Sequence, residues 1–288
     1  MNEQSIFSFK HLVKTYEDIT KLITATTTRI KSYHQMGIDP QHDETLMDLK
    51  KQKDKITRKI LKYLEMFPVW REYLVDVPGI GPGLAGKLLL LYYFGFVPVC
   101  PHCQTEVEKR EIVKDDKKIT GFYCPGCDKK LKGEGNLRFK INKKDFPRIS
   151  SFWHYMGRHV VDGKIPKQKK GVLGDWNPKG KALGFLIIEQ FYGKMSENPA
   201  KENYSQYKDW ILKRIEKKKK THPDVTEYHR KNMAKNEAIK LFLSHFWTVA
   251  RTIDGKVVTE PYVGKIMGHD VEAPYYYNPN KKMKLLEI

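Results

Sequence analysis

Apolar residues recur every three or four positions near the start of the chain, at Ile6, Phe9, Val13, Tyr16, Ile19 or Thr20, Ile23, Thr27 and Ile30. This spacing keeps one face of a helix apolar, and its heptad repeat predicts a long helix able to pair with another. The segment GIDPQHD at residues 37–43 breaks the pattern. Asp43 is placed there to cap a second helix, whose seam is Leu46, Leu49, Lys53, Ile56, Ile60, Tyr63 and Phe67. Residues 1–67 are therefore predicted to form an antiparallel coiled-coil hairpin. At a rise of 1.5 Å per residue the first arm reaches roughly 45 Å, which suits a projecting arm; two helices folded back on the main domain are the alternative.

Pro68 ends the second arm, and VPGIGPGLAGKLL at residues 77–89 then leads into an apolar helix over residues 84–94. Helical patterns return at residues 179–191, 204–219 and 226–253. In the last, Ile239, Phe242, Leu243, Phe246, Ala250 and Ile253 share a face, with Arg230, Lys231, Lys235 and Lys240 elsewhere. Between residues 99 and 132 the pattern shifts to short alternating stretches, and REIVKDDKKITGFYC predicts a β-hairpin. The expected organisation is mainly α: a helical domain of residues 68–98 and 133–260, interrupted by a β insertion at 99–132 and followed by a tail at 261–288. That tail has no clear period, so EAPYYYNPNKKMKLLEI reads as a docked strap or a partly disordered end.

Charge narrows the partners. The 288 residues hold 53 Lys and Arg against 34 Asp and Glu, a formal charge of +19 that favours a polyanion, nucleic acid first. Residues 128–181 alone carry fifteen cationic and five acidic side chains, so about half the excess is concentrated there. No run of about 18 apolar residues is present. The N-terminus MNEQSIFSFK lacks the charged and apolar regions of a signal peptide. The expectation is a soluble cytoplasmic protein, of a prokaryotic cell or of its mobile element or virus, with no membrane partner.

The four cysteines fall in two pairs, Cys100 with Cys103 and Cys124 with Cys127, in the pattern CPHC, twenty residues, CPGC. In a reducing compartment this spacing signals a zinc ribbon rather than disulfides: two knuckles supply four thiolates in a tetrahedron. Four protein ligands leave no open position, so the expected Zn²⁺ is structural. The intervening segment lacks the His and Asn that a zinc-supported His-Asn-His nuclease needs.

The loop PGIGPG followed by LAGKLLLL has the composition of a helix-hairpin-helix turn. Glycines there allow left-handed dihedrals that aim successive N–H groups at a phosphate, and the following helix N-terminus adds partial positive charge. Gly79, Gly81 and Gly83 are expected to act through their backbones, with Lys87 as an added cation; a plain Gly-Pro turn is the alternative. The basic stretch interleaves Arg138, Lys140, Lys143, Lys144, Arg148, Arg158, Lys164, Lys167, Lys169, Lys170, Lys179 and Lys181 with Phe139, Phe152, Trp153, Tyr155 and Trp176. Cations anchor phosphates and exposed rings stack on unpaired bases. Phe152, Tyr155 and one of the two tryptophans are assigned to the core, and Trp176 is a candidate base-stacking ring.

Taken in order, the helical arms, YLVDVPGIGPGLAGKLLLLYYFG, DFPRISSFWHYMGR, KKGVLGDWNPKGKALGFLI and HRKNMAKNEAIKLFLSHFW resemble the C-terminal domain of insertion-sequence transposases guided by a bridge RNA. The resemblance spans roughly residues 6–96 and 141–252, with the cysteine segment between its halves. A more distant likeness is to the Nop domain of box C/D guide-RNA proteins, echoed in Lys179, Gly180, Lys181 and Ala182, and to the Nop-like Tas proteins of tandem interspaced guide-RNA systems. These likenesses imply a structured guide RNA as partner and DNA targeting through that RNA. The helical arms are expected to mediate dimerisation through the coiled coil or to clasp RNA. The transposases also carry an acidic nuclease-like domain ahead of the coiled coil and a nucleophilic serine in the loop corresponding to residues 157–171, and both are missing from this pattern. Ser150 and Ser151 lie earlier, so the reading is of a non-catalytic binder, with direct DNA binding or a reduced recombinase as alternatives. MGHD at residues 267–270 reads as a turn, with a His-Asp metal or base pair as the alternative, and Tyr275, Tyr276 and Tyr277 as a packed strap or base-stacking rings.

Overall fold

The computed structural model describes residues 1–38, 44–114, 117–131, 137–161, 163, 165–168, 174–259 and 272–279. The chain is mainly helical and divides into two compact units: Met1–Leu88 with Pro147–Ile149 and Ala182–Ile288, and Leu89–Phe146 with Ser150–Lys181. No described helix is long and apolar enough to cross a membrane.

In the first unit, α1 (Glu3–Gln35) begins at Asn2, whose side chain accepts from Ser5 N–H at 2.8 Å. It pairs with α2 (Glu44–Leu64): Phe9 stacks on Tyr63 with centroids 5.4 Å apart, and Lys53 Nζ lies 5.1 Å from the Tyr16 ring. Position increases along α1 as it decreases along α2, so the pair is antiparallel, as the heptads predict. Asp43, the expected cap, lies outside the described residues. Burial is graded along the arms. Ile6, Phe9, Val13, Ile19, Ile60 and Leu64 are buried, whereas Ile23, Ile30, Leu46, Leu49 and Ile56 are half-buried. The base of the hairpin is core, and its distal part is a two-helix seam.

The base is held by α4 (Pro82–Tyr93), which follows α3 (Pro68–Glu72) and a 3-10 turn at Leu74–Asp76. A Cβ on Gly86 would lie 2.8 Å from Val13, and one on Gly83 would run into the Tyr16 ring, so glycines let α4 approach α1 closely. The remaining helices of this unit are α6 (Pro178–Gly193), α7 (Gln206–Thr221) and α8 (Glu227–Ile253), which starts on a Thr226 cap. Phe191, Tyr207, Phe242, Phe246 and Trp247 fill the core between them. Glu237 on α8 pairs with Lys218 at 2.7 Å and with Arg214, joining α7 to α8.

Residues 272–279 lie across this core as a strap. The Tyr275 ring is 5.0 Å from Tyr207 and 4.8 Å from His245, Tyr276 Oη accepts from Gln206 N–H at 2.7 Å, and Tyr277 meets Tyr73 edge-on. The three tyrosines therefore pack on their own domain.

In the second unit, β1 (Phe94–Val99) pairs antiparallel with β5 (Arg138–Lys143), with Phe94 opposite Lys143 and Val99 opposite Arg138. Between them in sequence, β2 (Glu108–Lys114), β3 (Lys117–Cys124) and β4 (Lys129–Leu131) form a three-stranded sheet in chain order. The β2–β3 hairpin is the one that the alternating pattern predicts. α5 (Ile149–Tyr155) follows, and the rings of Tyr92, Phe146 and Phe152 interlock with centroids 5.1–5.6 Å apart.

Candidate metal centre and nucleic-acid interface

Two turns bring the cysteines together. After β1 the chain turns tightly, with Cys100 N–H donating to Thr105 O at 2.9 Å and Gln104 N–H to Cys100 O at 3.0 Å. The second turn joins β3 to β4, and Asp128 there has φ 52°. One Sγ from each of the four cysteines lies within 4.8 Å of the others. Cys100 and Cys127 are 3.9 Å apart and Cys103 and Cys124 3.4 Å, close to the edge of about 3.8 Å that a sulfur tetrahedron has around zinc at 2.3 Å. Cys100 and Cys124 are buried, with Val107 and Leu137 beside them.

Crowding splits the four thiols into two lowered and two raised. Backbone N–H groups of Cys103 and His102 turn toward Cys100 and hold its thiol below the usual value. The Thr105 hydroxyl, 3.2 Å from Cys103 Sγ, draws Cys103 down to about 6. Its contact with Cys103 pushes Cys127 up to about 12, and burial raises Cys124. Four thiolates in this volume repel one another, and a divalent ion with soft-ligand affinity offsets that repulsion. The four cysteines are thus compatible with a metal site.

At the glycine loop the three glycines play three different parts. Gly79 alone is left-handed, at φ 92°, and faces the end of α6, where a Cβ would sit 3.3 Å from Phe191. Gly81 is exposed with open space around it. Gly83 is buried against Tyr16. Ile80, Leu84 and Ala85 donate their N–H groups to Val77 and Gly81 carbonyls, whereas those of Gly79, Gly81 and Gly83 have no backbone acceptor among the described residues. Lys87 is turned inward onto Glu17, with Nζ 3.6 Å from the carboxylate.

The basic stretch divides by burial. On β5, Arg138, Lys140 and Asn142 are exposed and alternate with half-buried Phe139 and Ile141, so two cations share one face of the ribbon, with Lys143 exposed at its end. Gly95, opposite Asn142, makes room for that side chain, since a Cβ there would meet Asn142 Oδ1. Arg148, Lys167 and Lys179 are also exposed.

Three other predicted contacts are structural. Lys144 donates from Nζ to Leu91 O at 3.2 Å and to Tyr155 Oη at 2.5 Å, and burial lowers it to about 8. Arg158 is buried, donates to Lys181 O at 2.7 Å, and is lowered by desolvation to about 10. Trp176 is buried against Gly157, with Lys181 Nζ 4.8 Å from its ring. Phe152 is fully buried as expected, and Tyr155 is half-buried. Lys164, Lys169, Lys170 and the MGHD segment lie outside the described residues.

Sequence reasoning missed one buried polar chain. Tyr73 and Tyr207 hydroxyls are 3.0 Å apart, Tyr207 Oη is 2.9 Å from His245 Nδ1, and His245 Nε2 is 3.2 Å from Glu272 O. With its Nε2–H donating to the carbonyl, His245 accepts at Nδ1 and is neutral.

No family model, curated protein or solved structure matches the chain.

Proposed function

We propose that this chain is a non-catalytic nucleic-acid-binding protein whose favoured ligand is a structured guide-type RNA. The observation that carries the reading is the exposed pair Arg138 and Lys140 on one face of β5, with Lys143 exposed at the strand end, in a chain of net charge +19. Cations at strand spacing meet successive phosphates, and half-buried apolar neighbours hold the strand in place. Lys167 and Lys179 extend the exposed positive charge of this unit. The exposed amide of Gly81, which has no backbone acceptor among the described residues, offers a second kind of phosphate contact at the start of α4.

In this reading Cys100, Cys103, Cys124 and Cys127 hold a Zn²⁺ in a ribbon whose role is to fix the β insertion. The ion supplies a structural cross-link, and four protein ligands leave no position for a reacting water. The distal part of the α1–α2 hairpin is read as a coiled coil joining two copies of the chain, favoured by exposed Leu22, Tyr33 and Met47. RNA is preferred over DNA on the strength of the resemblance to guide-RNA proteins; direct DNA binding is the second reading. Ultraviolet cross-linking of the full chain to bound RNA, followed by peptide mapping, tests the placement. Adducts on the β5 peptide support it, and adducts confined to α7 and α8 overturn it.

A further inference from the structure

Besides the cysteines, one other group of metal-ligating side chains converges among the described residues. His154, near the end of α5, His159, in the loop after it, and Asp175, just before Trp176, bring two ring nitrogens and a carboxylate oxygen within 4.8 Å of one another. The convergence is built into the backbone. Gly157, at φ 63°, reverses the chain after α5, and a Cβ there would lie 2.7 Å from Trp176 Cε3. The indole therefore packs directly on the glycine and carries Asp175 to the end of α5. Asn177 N–H donates to Tyr155 O at 2.9 Å and Arg158 N–H to Trp153 O at 2.8 Å, which fixes both segments.

Within this frame the His154 and His159 rings stack, centroids 4.0 Å apart and planes 17° from parallel. His154 Nε2 meets Asp175 Oδ2 at 3.0 Å. His159 Nδ1 is buried and has no hydrogen-bond partner.

We propose that His154, His159 and Asp175 bind one divalent transition-metal ion of the zinc type, at a site separate from the four cysteines. Two imidazoles and a carboxylate suit such an ion, whereas magnesium and calcium take oxygen ligands. A metal ion uses each imidazole in its neutral form. The orphaned His159 nitrogen and the carboxylate beside His154 are what a bound ion satisfies or neutralises. Ligand atoms around tetrahedral zinc are about 3.3 Å apart and each ring must point its lone pair at the ion. Binding therefore turns one stacked ring and draws Asp175 inward. His154 and Asp175 side chains, 43% and 68% exposed, have the freedom to make that move. The neighbouring cations are already engaged: Arg158 on Lys181 O, and Lys181 on Pro166 O and the Trp176 ring. Three protein donors leave a further position for water or a phosphate oxygen. The site is a binding site only, and it stands whether or not the chain binds nucleic acid.

The test is a Co²⁺ titration of the metal-stripped full chain, followed by absorption. Cobalt at the cysteines gives strong thiolate charge-transfer bands, whereas cobalt at an imidazole and carboxylate site gives only weak visible bands. The wild type should take up about two equivalents, the second without added thiolate absorption. The His154→Ala/His159→Ala variant should stop at about one equivalent with its thiolate bands and circular dichroism intact. Asp175→Asn, a change at an exposed position, should weaken the second equivalent alone. Saturation of the wild type at about one equivalent, or retention of the second in the folded double variant, overturns the proposal.

Discussion

Tyr207 Oη and His245 Nδ1 meet at 2.9 Å in the buried centre of the helical unit, and this contact ties α7 to α8 and, through Glu272 O, to the C-terminal strap. Burial holds the imidazole down at about 4, against an ordinary value of 6.5. Below pH 6.5 the unfolded chain takes up a proton that the folded chain refuses until about pH 4, so this group makes stability fall as pH drops through that window. The full effect is roughly 3 kcal/mol. Urea unfolding at pH 7 and 4.5 should show the wild type losing about 2–3 kcal/mol more than His245→Asn, which cannot titrate. Equal losses would mean that the imidazole is not held neutral.

The glycine loop gives a three-way prediction. Gly79→Ala places a side chain in a left-handed conformation at a cost of about 1–2 kcal/mol, and Gly83→Ala drives a methyl into Tyr16. Gly81→Ala meets nothing and needs no unusual dihedral. Thermal unfolding should therefore show clear losses for the first two and little change for the third. Gly81 is the position at which a phosphate contact can be probed without damaging the fold.

The helices were legible because their apolar spacing is local and repeated; the seam from Ile6 to Ile30 needs no knowledge of the partner to be seen. The cysteine pairs were legible because each is a local Cys-x-x-Cys spacing, readable without knowledge of the fold. β1 and β5 were not, since FGFVPV and RFKINK pair across some forty intervening residues and each is short, one interrupted by Gly and Pro and the other dense in charge. The inward roles of Lys87, Lys144 and Arg158 were equally hidden. A lysine that pairs with Glu17 or caps a carbonyl has the same local sequence signature as one that faces solvent. The Tyr207–His245 contact depends on packing between two helices, which no local pattern encodes.

The metal prediction follows from how little apolar surface the β insertion buries. Its cluster is Cys100, Val107, Cys124 and Leu137 with half-buried Phe122, Cys127, Leu131 and Phe139. Chelation should strip hydrogen-exchange protection from the amides of β2 and β3 and leave α7 and α8 protected. Unchanged protection in β3 would show that the ribbon stands without its ion.

The exposed and buried cations should separate in binding experiments. Combined Arg138→Ala, Lys140→Ala and Lys143→Ala should reduce the slope of log affinity against log salt by about 2–3, at unchanged stability. Lys144→Ala removes the bonds to Leu91 O and Tyr155 Oη and should lower stability instead. A triple variant with the wild-type salt slope would move the interface away from β5.

The most direct measurement is the identity of what the protein carries. Purified at low salt from cells expressing its native genomic surroundings, it should bring down one discrete RNA species that is sensitive to RNase and resistant to DNase, and lose it between about 50 and 200 mM salt or more. Folded protein that carries no nucleic acid at low salt, or only DNA, contradicts the account.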